Sequence, residues 1–172
     1  GTSNSYFGYF AGYANTTACC GVFLGRYAGF NNTTGSSNIF VGSNAGYSNQ
    51  TGEYNVIVGG GSGYAHTADR SVFLGYLSGA GNLGASGNSF VGAESGRYNE
   101  TGTGLAFFGY QAGTRSTGDN NSFFGYQSGV ANFSGSNNAF FGHQAGAANT
   151  TAGYNAFFGA LAGTANMTGQ YN

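Results

Sequence analysis

Histidine and carboxylate side chains could carry acid–base or nucleophilic chemistry, and this sequence has few of them. The 172 residues include two histidines, His66 and His143, and five acidic residues. Asp69 follows His66 closely, but a His/Asp pair supports hydrolysis only when a nucleophile is positioned against it. The acidic residues occupy unrelated positions of a repeating pattern, so the sequence indicates no carboxylate cluster for calcium. We therefore expect no enzymatic activity, no cofactor and no metal site.

The only two cysteines, Cys19 and Cys20, are adjacent in the sequence. A disulfide between sequence neighbours is strained, because their Cα atoms are fixed about 3.8 Å apart, below the usual range for bridged cysteines. We expect both cysteines to be small turn residues that replace Ser36 and Ser37 of the following repeat. An interchain or vicinal disulfide is the alternative.

An internal repeat of 16 or 17 residues runs through the chain in ten copies. Each copy closes a short apolar run with a first glycine, and a second glycine follows four residues later. The residue before the second glycine is alanine or serine in every copy. A pattern kept in all ten copies predicts an ordered repeat architecture. The first glycines are Gly8, Gly25, Gly42, Gly59, Gly75, Gly92, Gly109, Gly125, Gly142 and Gly159.

Three further columns of equivalent residues recur in the alignment of the copies. The phenylalanine column, two residues before the first glycine, comprises Tyr6, Phe23, Phe40, Ile57, Phe73, Phe90, Phe107, Phe123, Phe140 and Phe157. The mixed apolar column, immediately before that glycine, comprises Phe7, Leu24, Val41, Val58, Leu74, Val91, Phe108, Phe124, Phe141 and Phe158. The Asn ladder, seven residues after it, comprises Asn15, Asn32, Asn49, Asn82, Asn99, Asn132, Asn149 and Asn166, with His66 and Ser116 in the other two copies.

These columns predict an all-β fold, a parallel β-solenoid or β-roll of ten 16–17-residue coils. A short apolar run between glycines is typical of a strand, because glycine at this density destabilises a helix. One unit cannot bury its own apolar face, but stacked units can, each strand pairing with the next at about 4.7–4.9 Å. The alanine/serine–glycine pair then forms a tight corner, a second short strand or a close backbone approach. We expect residues 1–172 to be a single repetitive domain, a fragment of a longer fibre. The Asn ladder is expected to be structural, with stacked amides bonding along the axis.

The two adjacent apolar columns indicate that more than one chain is needed. Successive side chains of a strand point to opposite faces, so only one column fills the coil and the other forms a stripe along the rod. The sequence leaves open which is which, so the phenylalanine column is either coil core or oligomer interface. Burying ten large side chains at about 1.5–3 kcal/mol each exceeds the cost of association, about 4–15 kcal/mol. The alternative is a wide coil whose second layer covers the stripe within one chain.

The repeat core resembles that of a known family. The segments Ser71–Gly75 and Asn88–Gly92, with their eight counterparts, are similar to the Ser-Val-Ala-Ile-Gly head repeats of trimeric autotransporter adhesins. Similar repeats occur in bacterial and phage trimeric fibre proteins. The resemblance implies a left-handed β-roll that packs side by side with two others, and hence a homotrimer. The unit here is longer than the usual head repeat, with phenylalanine where alanine is typical.

Composition narrows the function to surface recognition or structure. A net charge of −1 with four arginines indicates no nucleic-acid partner, and no apolar run is long enough to insert into a membrane. We expect an extracellular cell-surface or virion fibre segment that attaches to a glycan or protein on a host or prey cell. Aromatic side chains on a rigid scaffold could provide that contact. The candidate ligand surface comprises Tyr13, Phe30, Tyr47, Tyr64, Tyr110 and Tyr126.

Two alternatives remain at this point. One is a pure spacer without a ligand of its own. The other is a monomeric ligand-binding solenoid, lectin-like or ice-binding, the latter suggested by Thr-Thr pairs such as Thr16–Thr17. Ice binding requires a regular threonine column, which Leu83, Glu100 and Phe133 interrupt.

Overall fold

The chain forms an all-β parallel solenoid of about nine turns, seen in a computed structural model that describes residues 1–172. Ten strands make one sheet in sequence order, so each strand lies beside its sequence neighbours. This arrangement confirms the predicted fold class. The structure contains no helix that could cross a membrane. The strands are β1 (Ser5–Phe7), β2 (Val22–Leu24), β3 (Ile39–Val41), β4 (Val56–Val58), β5 (Val72–Leu74), β6 (Ser89–Val91), β7 (Ala106–Phe108), β8 (Ser122–Phe124), β9 (Ala139–Phe141) and β10 (Ala156–Phe158).

The register places each residue on its counterpart in the next repeat. Phe23 pairs with Phe40 across a 17-residue step, and Ile57 pairs with Phe73 across a 16-residue step. The missing residue is therefore absorbed in the turn and leaves the strand register unchanged. The ten coils cover residues 1–17, 18–34, 35–51, 52–67, 68–84, 85–101, 102–117, 118–134, 135–151 and 152–168.

Most coil-to-coil bonding lies in the turns. Of 106 backbone hydrogen bonds, 18 lie within the strands, and 88 lie elsewhere. The Gly29 amide donates to Ala45 O at 2.9 Å in the next coil, and the Gly25 amide donates to Phe7 O at 2.8 Å in the previous one. The alanine/serine–glycine pair thus forms a turn that contacts the next coil closely, and no second strand is present. Parallel stacking satisfies backbone polar groups around the circumference, as burial requires.

The phenylalanine column is the coil core. It supplies the middle residue of every strand, and Phe40, Phe73 and Phe107 are completely buried. Neighbouring rings stack with centroids 4.8 Å apart for Phe23 and Phe40 and 4.9 Å apart for Phe90 and Phe107. Of the two roles that the sequence left open for this column, the structure assigns the core and not an oligomer interface. The reason is strand alternation, because only the middle of three residues points into the coil.

The mixed apolar column faces outward. Leu24 is 42% exposed and Phe108 is 37% exposed, and no second layer of the chain covers them. The first residue of each strand lies on the same outer face, as shown by Val22 at 41% exposure. The stripe predicted from the sequence is therefore this column, and a single chain leaves it open to solvent.

The two glycine columns are required for different reasons. A Cβ at Gly25, where φ is +138°, would lie 2.5 Å from the carbonyl oxygen of Gly42 in the next coil. A Cβ at Gly79, where φ is +58°, would lie 2.8 Å from the Phe73 ring. The first glycine thus permits coils to approach, and the second makes room for the core ring.

We expect Gly79→Ala to lower the free energy of unfolding by at least about 2 kcal/mol, because it combines left-handed backbone strain with displacement of a core ring. Urea denaturation followed by circular dichroism measures the loss. Gly84→Ala is the control in the same coil, since a Cβ there meets nothing within 4 Å. Equal midpoints for the two variants would contradict this account of the second glycine.

Candidate functional site

The Asn ladder is buried and caps its own turn. Asn32 Nδ2 donates to Gly35 O at 2.9 Å, three residues along the chain in the same turn. Bonds between stacked amides occur near the C-terminal end, where Asn149 donates to Asn132 at 2.7 Å and Asn166 donates to Asn149 at 3.1 Å. Neither amide atom of Asn49 has a partner. The expected chain of amides along the axis is thus restricted to these coils.

A second asparagine column, missed in the sequence reasoning, joins the coils more completely. It lies four residues before the first glycine. Asn38 Nδ2 donates to Gly52 O at 2.7 Å, and Asn38 Oδ1 accepts the Asn55 amide at 2.9 Å, both in the next coil. The signal was present, because asparagine fills this position in seven of ten copies. We call these residues the coil-joining asparagines: Asn4, Asn38, Asn55, Asn88, Asn121, Asn138 and Asn155.

His66 is a buried member of the ladder and not part of a catalytic pair. Its Nδ1 lies 2.8 Å from Asn82 Oδ1, and its Nε2 lies 3.2 Å from Asn55 Oδ1. Asp69 instead accepts the Glu53 amide at 2.9 Å. Burial lowers the pKa of the His66 imidazole, with hydrogen bonding to Asn82 opposing the shift. The ring lies between the side-chain amides of Asn82 and Asn55 and packs edge-on against Phe73.

Cys19 and Cys20 are free thiols in a turn. Their sulfur atoms lie 3.0 Å apart, and the Cys19 amide donates to Ser36 Oγ at 3.1 Å. Cys20 has φ of +63°, like Ser37 in the next coil at +59°. Hydrogen bonds from Cys20 and then Ser36 lower the pKa of the Cys19 thiol, whereas the pKa of Cys20 is raised by the same thiol pair. The pair occupies the turn positions expected from the sequence.

The histidine, cysteine and acidic side chains are dispersed along the solenoid. No group of three or more His, Cys, Asp or Glu side chains is placed to hold a metal ion. His143 is exposed and stacks on Tyr126, with centroids 5.3 Å apart. His143 thus extends the stack of Tyr110 and Tyr126 by one coil.

The threonine column lies eight residues after the first glycine. Other residue types interrupt it, and its hydroxyls donate hydrogen bonds to backbone carbonyls. Thr33 Oγ1 donates to Gln50 O at 2.9 Å, and Thr117 Oγ1 donates to Phe133 O at 2.8 Å, each in the next coil. Leu83, Glu100 and Phe133 interrupt the column. The structure therefore presents no continuous row of threonine hydroxyls.

The six candidate ligand residues form two separate aromatic surfaces. Residues from coils 1 to 4 occupy one column and stack as a ladder, with centroids 5.2 Å apart for Tyr13 and Phe30 and 5.0 Å apart for Tyr47 and Tyr64. Tyr110 and Tyr126, from coils 7 and 8, occupy another column and stack at 5.5 Å. We call the first set the aromatic flank: Tyr13, Phe30, Tyr47 and Tyr64.

The aromatic flank ends where a groove begins. Its column continues as Ala80, Arg97, Thr114 and Val130 in coils 5 to 8. Two adjoining cavities of about 360 and 380 Å³ lie here and share Tyr98 and Arg115. Four of the nine charged residues of the chain contribute to them. We call this the charged groove, formed by Glu94, Arg97, Tyr98, Glu100, Arg115 and Phe133.

The two arginines of the groove differ in their partners. Arg97 forms an ion pair with Glu94 at 3.4 Å and lies over the Tyr98 ring, 4.9 Å from its centroid. Gln111 Nε2 also donates to Glu94, at 3.1 Å. Arg115 is exposed and forms no ion pair. The sequence repeat could not reveal this groove, because its residues come from different coils and different columns.

Comparison with protein-family models, curated proteins and solved structures finds no match.

We expect Asn38→Ala to destabilise the chain by about 2–4 kcal/mol, because it leaves Gly52 O and the Asn55 amide buried without partners. Asn49→Ala is the matched control, since its amide is equally buried but unpaired. Chemical denaturation of both variants measures the difference. A loss for Asn49→Ala as large as that for Asn38→Ala would show that the two columns contribute equally.

Stability is expected to fall as the pH drops below about 6.5. The folded state holds the pKa of His66 below its ordinary value. As the pH falls, the unfolded chain therefore binds the proton more readily than the folded chain, and this shifts the equilibrium towards unfolding. Urea midpoints measured between about pH 7.5 and 5 test this, and His66→Asn should flatten the dependence. His143→Asn, at an exposed histidine, should keep the wild-type profile. An unchanged profile in His66→Asn would exclude His66 as its source.

Proposed function

We propose that this chain is a non-enzymatic structural and adhesive segment of an extracellular fibre. In this proposal three copies pack side by side as a homotrimer and present a rigid β-roll to a cell-surface glycan or protein. The observation that carries it is the outward apolar face of the ten strands, which the chain does not cover. The repeat resemblance to trimeric adhesin heads supports the number of chains.

The apolar face has the dimensions of a packing surface. It runs along all ten strands, about 43 Å at about 4.8 Å per step. Monomeric soluble proteins rarely leave apolar patches larger than a few hundred Å² exposed. Charged residues are absent from every strand, so docking the face against another chain desolvates no side-chain charge.

Side-chain sizes on this face compensate one another in every strand except β6, which places Ser89 beside Val91. Strand β2 places Val22 beside Leu24, both of intermediate size, whereas β9 places small Ala139 beside large Phe141. The same difference separates β2–β5 from β7–β10. In β2–β5 the first strand residue is Val or Ile and the third is Leu or Val. In β7–β10 the first is Ala or Ser and the third is Phe. Solvent imposes no such balance, whereas a closely packed neighbour does.

Rigidity supports a role as a fibre. The core rings stack in two runs, coils 1 to 3 and coils 5 to 10, with Ile57 packed between them. The coil-joining asparagines connect successive coils in addition to the backbone bonds. A solenoid stabilised by nearest-neighbour contacts can be extended without changing its cross-section. The aromatic flank and the charged groove then provide side chains for attachment. A spacer without a ligand would have the same rigid solenoid, but it would make no use of these two surfaces.

Size-exclusion chromatography with light scattering tests the assembly. We expect a mass three times the 17.4 kDa of one chain. The double variant Leu74→Glu/Phe124→Glu should be monomeric and still folded, because both side chains lie on the outer face and in coils that are not adjacent.

Two controls separate assembly from folding. Phe123→Glu, one residue away in the buried column, should abolish folding altogether. Leu83→Glu, at an apolar residue 51% exposed outside the strands, should leave the mass unchanged. A stable wild-type monomer would refute the trimer.

A further inference from the structure

The charged groove lies where the repeat departs from its own pattern. Coils 1 to 4 carry the aromatic flank, and coils 6 and 7 place Arg97 and Thr114 at the same position. The next position has alanine in five copies, but holds Tyr98 and Arg115 in these two coils. The interruption therefore replaces a stacked aromatic surface with two cavities lined by hydrogen-bonding groups. Their volumes, about 360 and 380 Å³, fall within the range of small-ligand sites, about 300–1,000 Å³.

Arg115 supplies an unpaired positive charge to this groove. Its guanidinium contributes to both cavities and has no carboxylate within ion-pair distance. By contrast, Arg97 is already engaged by Glu94 at 3.4 Å. A planar guanidinium binds a carboxylate or a sulfate through two parallel hydrogen bonds. The free charge thus points to an anionic group on the ligand.

Two aromatic rings flank that charge. Tyr98 is 49% exposed, Phe133 is 59% exposed, and both line the same cavity as Arg115. Both rings offer a flat apolar surface, which suits the C–H face of a pyranose, and Tyr98 adds a hydroxyl at its edge. The Thr117 hydroxyl and the Glu100 carboxylate in the same cavity provide a polar rim for sugar hydroxyls.

The acidic residues limit the ligand to a single negative charge. Glu94 lines one cavity and Glu100 the other, so each side of Arg115 carries a carboxylate. A dianionic phosphate ester would be repelled by both, whereas one monoanionic group can pair with Arg115 alone.

We propose that the charged groove binds a monoanionic sugar, a pyranose that carries one carboxylate or one sulfate ester. Arg115 pairs with the anion, Tyr98 and Phe133 stack on the ring, and Glu100 accepts hydrogen bonds from hydroxyls. This inference rests on the attachment part of the proposed function and identifies its ligand class.

Titration of the full chain with four probes tests it, using ligand-observed NMR and calorimetry. Sialyllactose supplies the carboxylate, lactose sulfate the sulfate ester, lactose phosphate the dianion, and lactose the neutral reference. We expect at least one monoanionic probe to bind at least about tenfold more tightly than lactose or lactose phosphate, as one charge-assisted hydrogen-bond pair implies. Whichever of the two binds more tightly identifies the anionic group.

Matched variants locate the site. Arg115→Gln should weaken binding at least about tenfold with an unchanged urea midpoint. Arg26→Gln is the control, because Arg26 is also exposed and forms no ion pair but lies outside the groove, over the Tyr27 ring. Phe133→Ala should weaken binding of the charged probes further by removing the stacking surface.

Three results would overturn the proposal. They are no saturable binding of either monoanion by the wild type, equal binding of lactose or lactose phosphate, and equal losses in Arg115→Gln and Arg26→Gln. If the chain is monomeric and binds a monoanionic probe through Arg115, the trimer proposal is wrong and the proposed ligand site is supported. A trimer that binds no probe overturns the groove and leaves the assembly intact.

Discussion

The spacing between successive coils is the constraint on which the rest of the structure depends. Equivalent residues lie about 4.8 Å apart, so nearly every side chain must pack against a copy of its own column. Flat rings satisfy this requirement, as in the Phe107–Phe123 stack with centroids 4.9 Å apart. Amides satisfy it by bonding from one coil to the next, and the first glycine satisfies it by having no side chain. Like charges stacked one above another would repel each other, which accounts for the scarcity of charged residues along the chain.

The same constraint explains how the chain tolerates its irregular positions. His66 replaces a ladder asparagine and remains buried because its two ring nitrogens lie within hydrogen-bond distance of the side-chain amides of Asn55 and Asn82. The 16-residue coils shorten the turn and preserve the strand register. Departures are therefore accommodated in turns or by residues that keep the bonding pattern. The charged groove is different, since Arg115 stacks on no equivalent arginine and forms no ion pair. An exposed, unpaired charge at a departure from a strict repeat is free to contact a ligand.

A single chain buries its apolar side chains along the solenoid axis but leaves others exposed across it. Along the axis, stacking buries the phenylalanine column and satisfies the backbone. Across the axis, the outer face of the strands carries a second apolar column that stacking alone leaves exposed, with Leu24 at 42%. Strand alternation makes this unavoidable, because three-residue strands with two adjacent apolar positions cannot turn both inward. Coil stability and lateral assembly are thus separate properties, held by neighbouring residues such as Phe123 and Phe124.

The amino-acid sequence by itself determined the repeat, the all-β parallel solenoid and the stacking of equivalent residues, because each is a local pattern repeated at fixed spacing. Only the tertiary structure decided which apolar column lies inside, since that depends on the direction in which each turn bends the chain. It also distinguished the coil-joining asparagines from the Asn ladder, because the two differ in partners and not in residue type. The charged groove likewise required the fold: Arg97, Arg115 and Phe133 belong to three coils and become neighbours only when those coils stack.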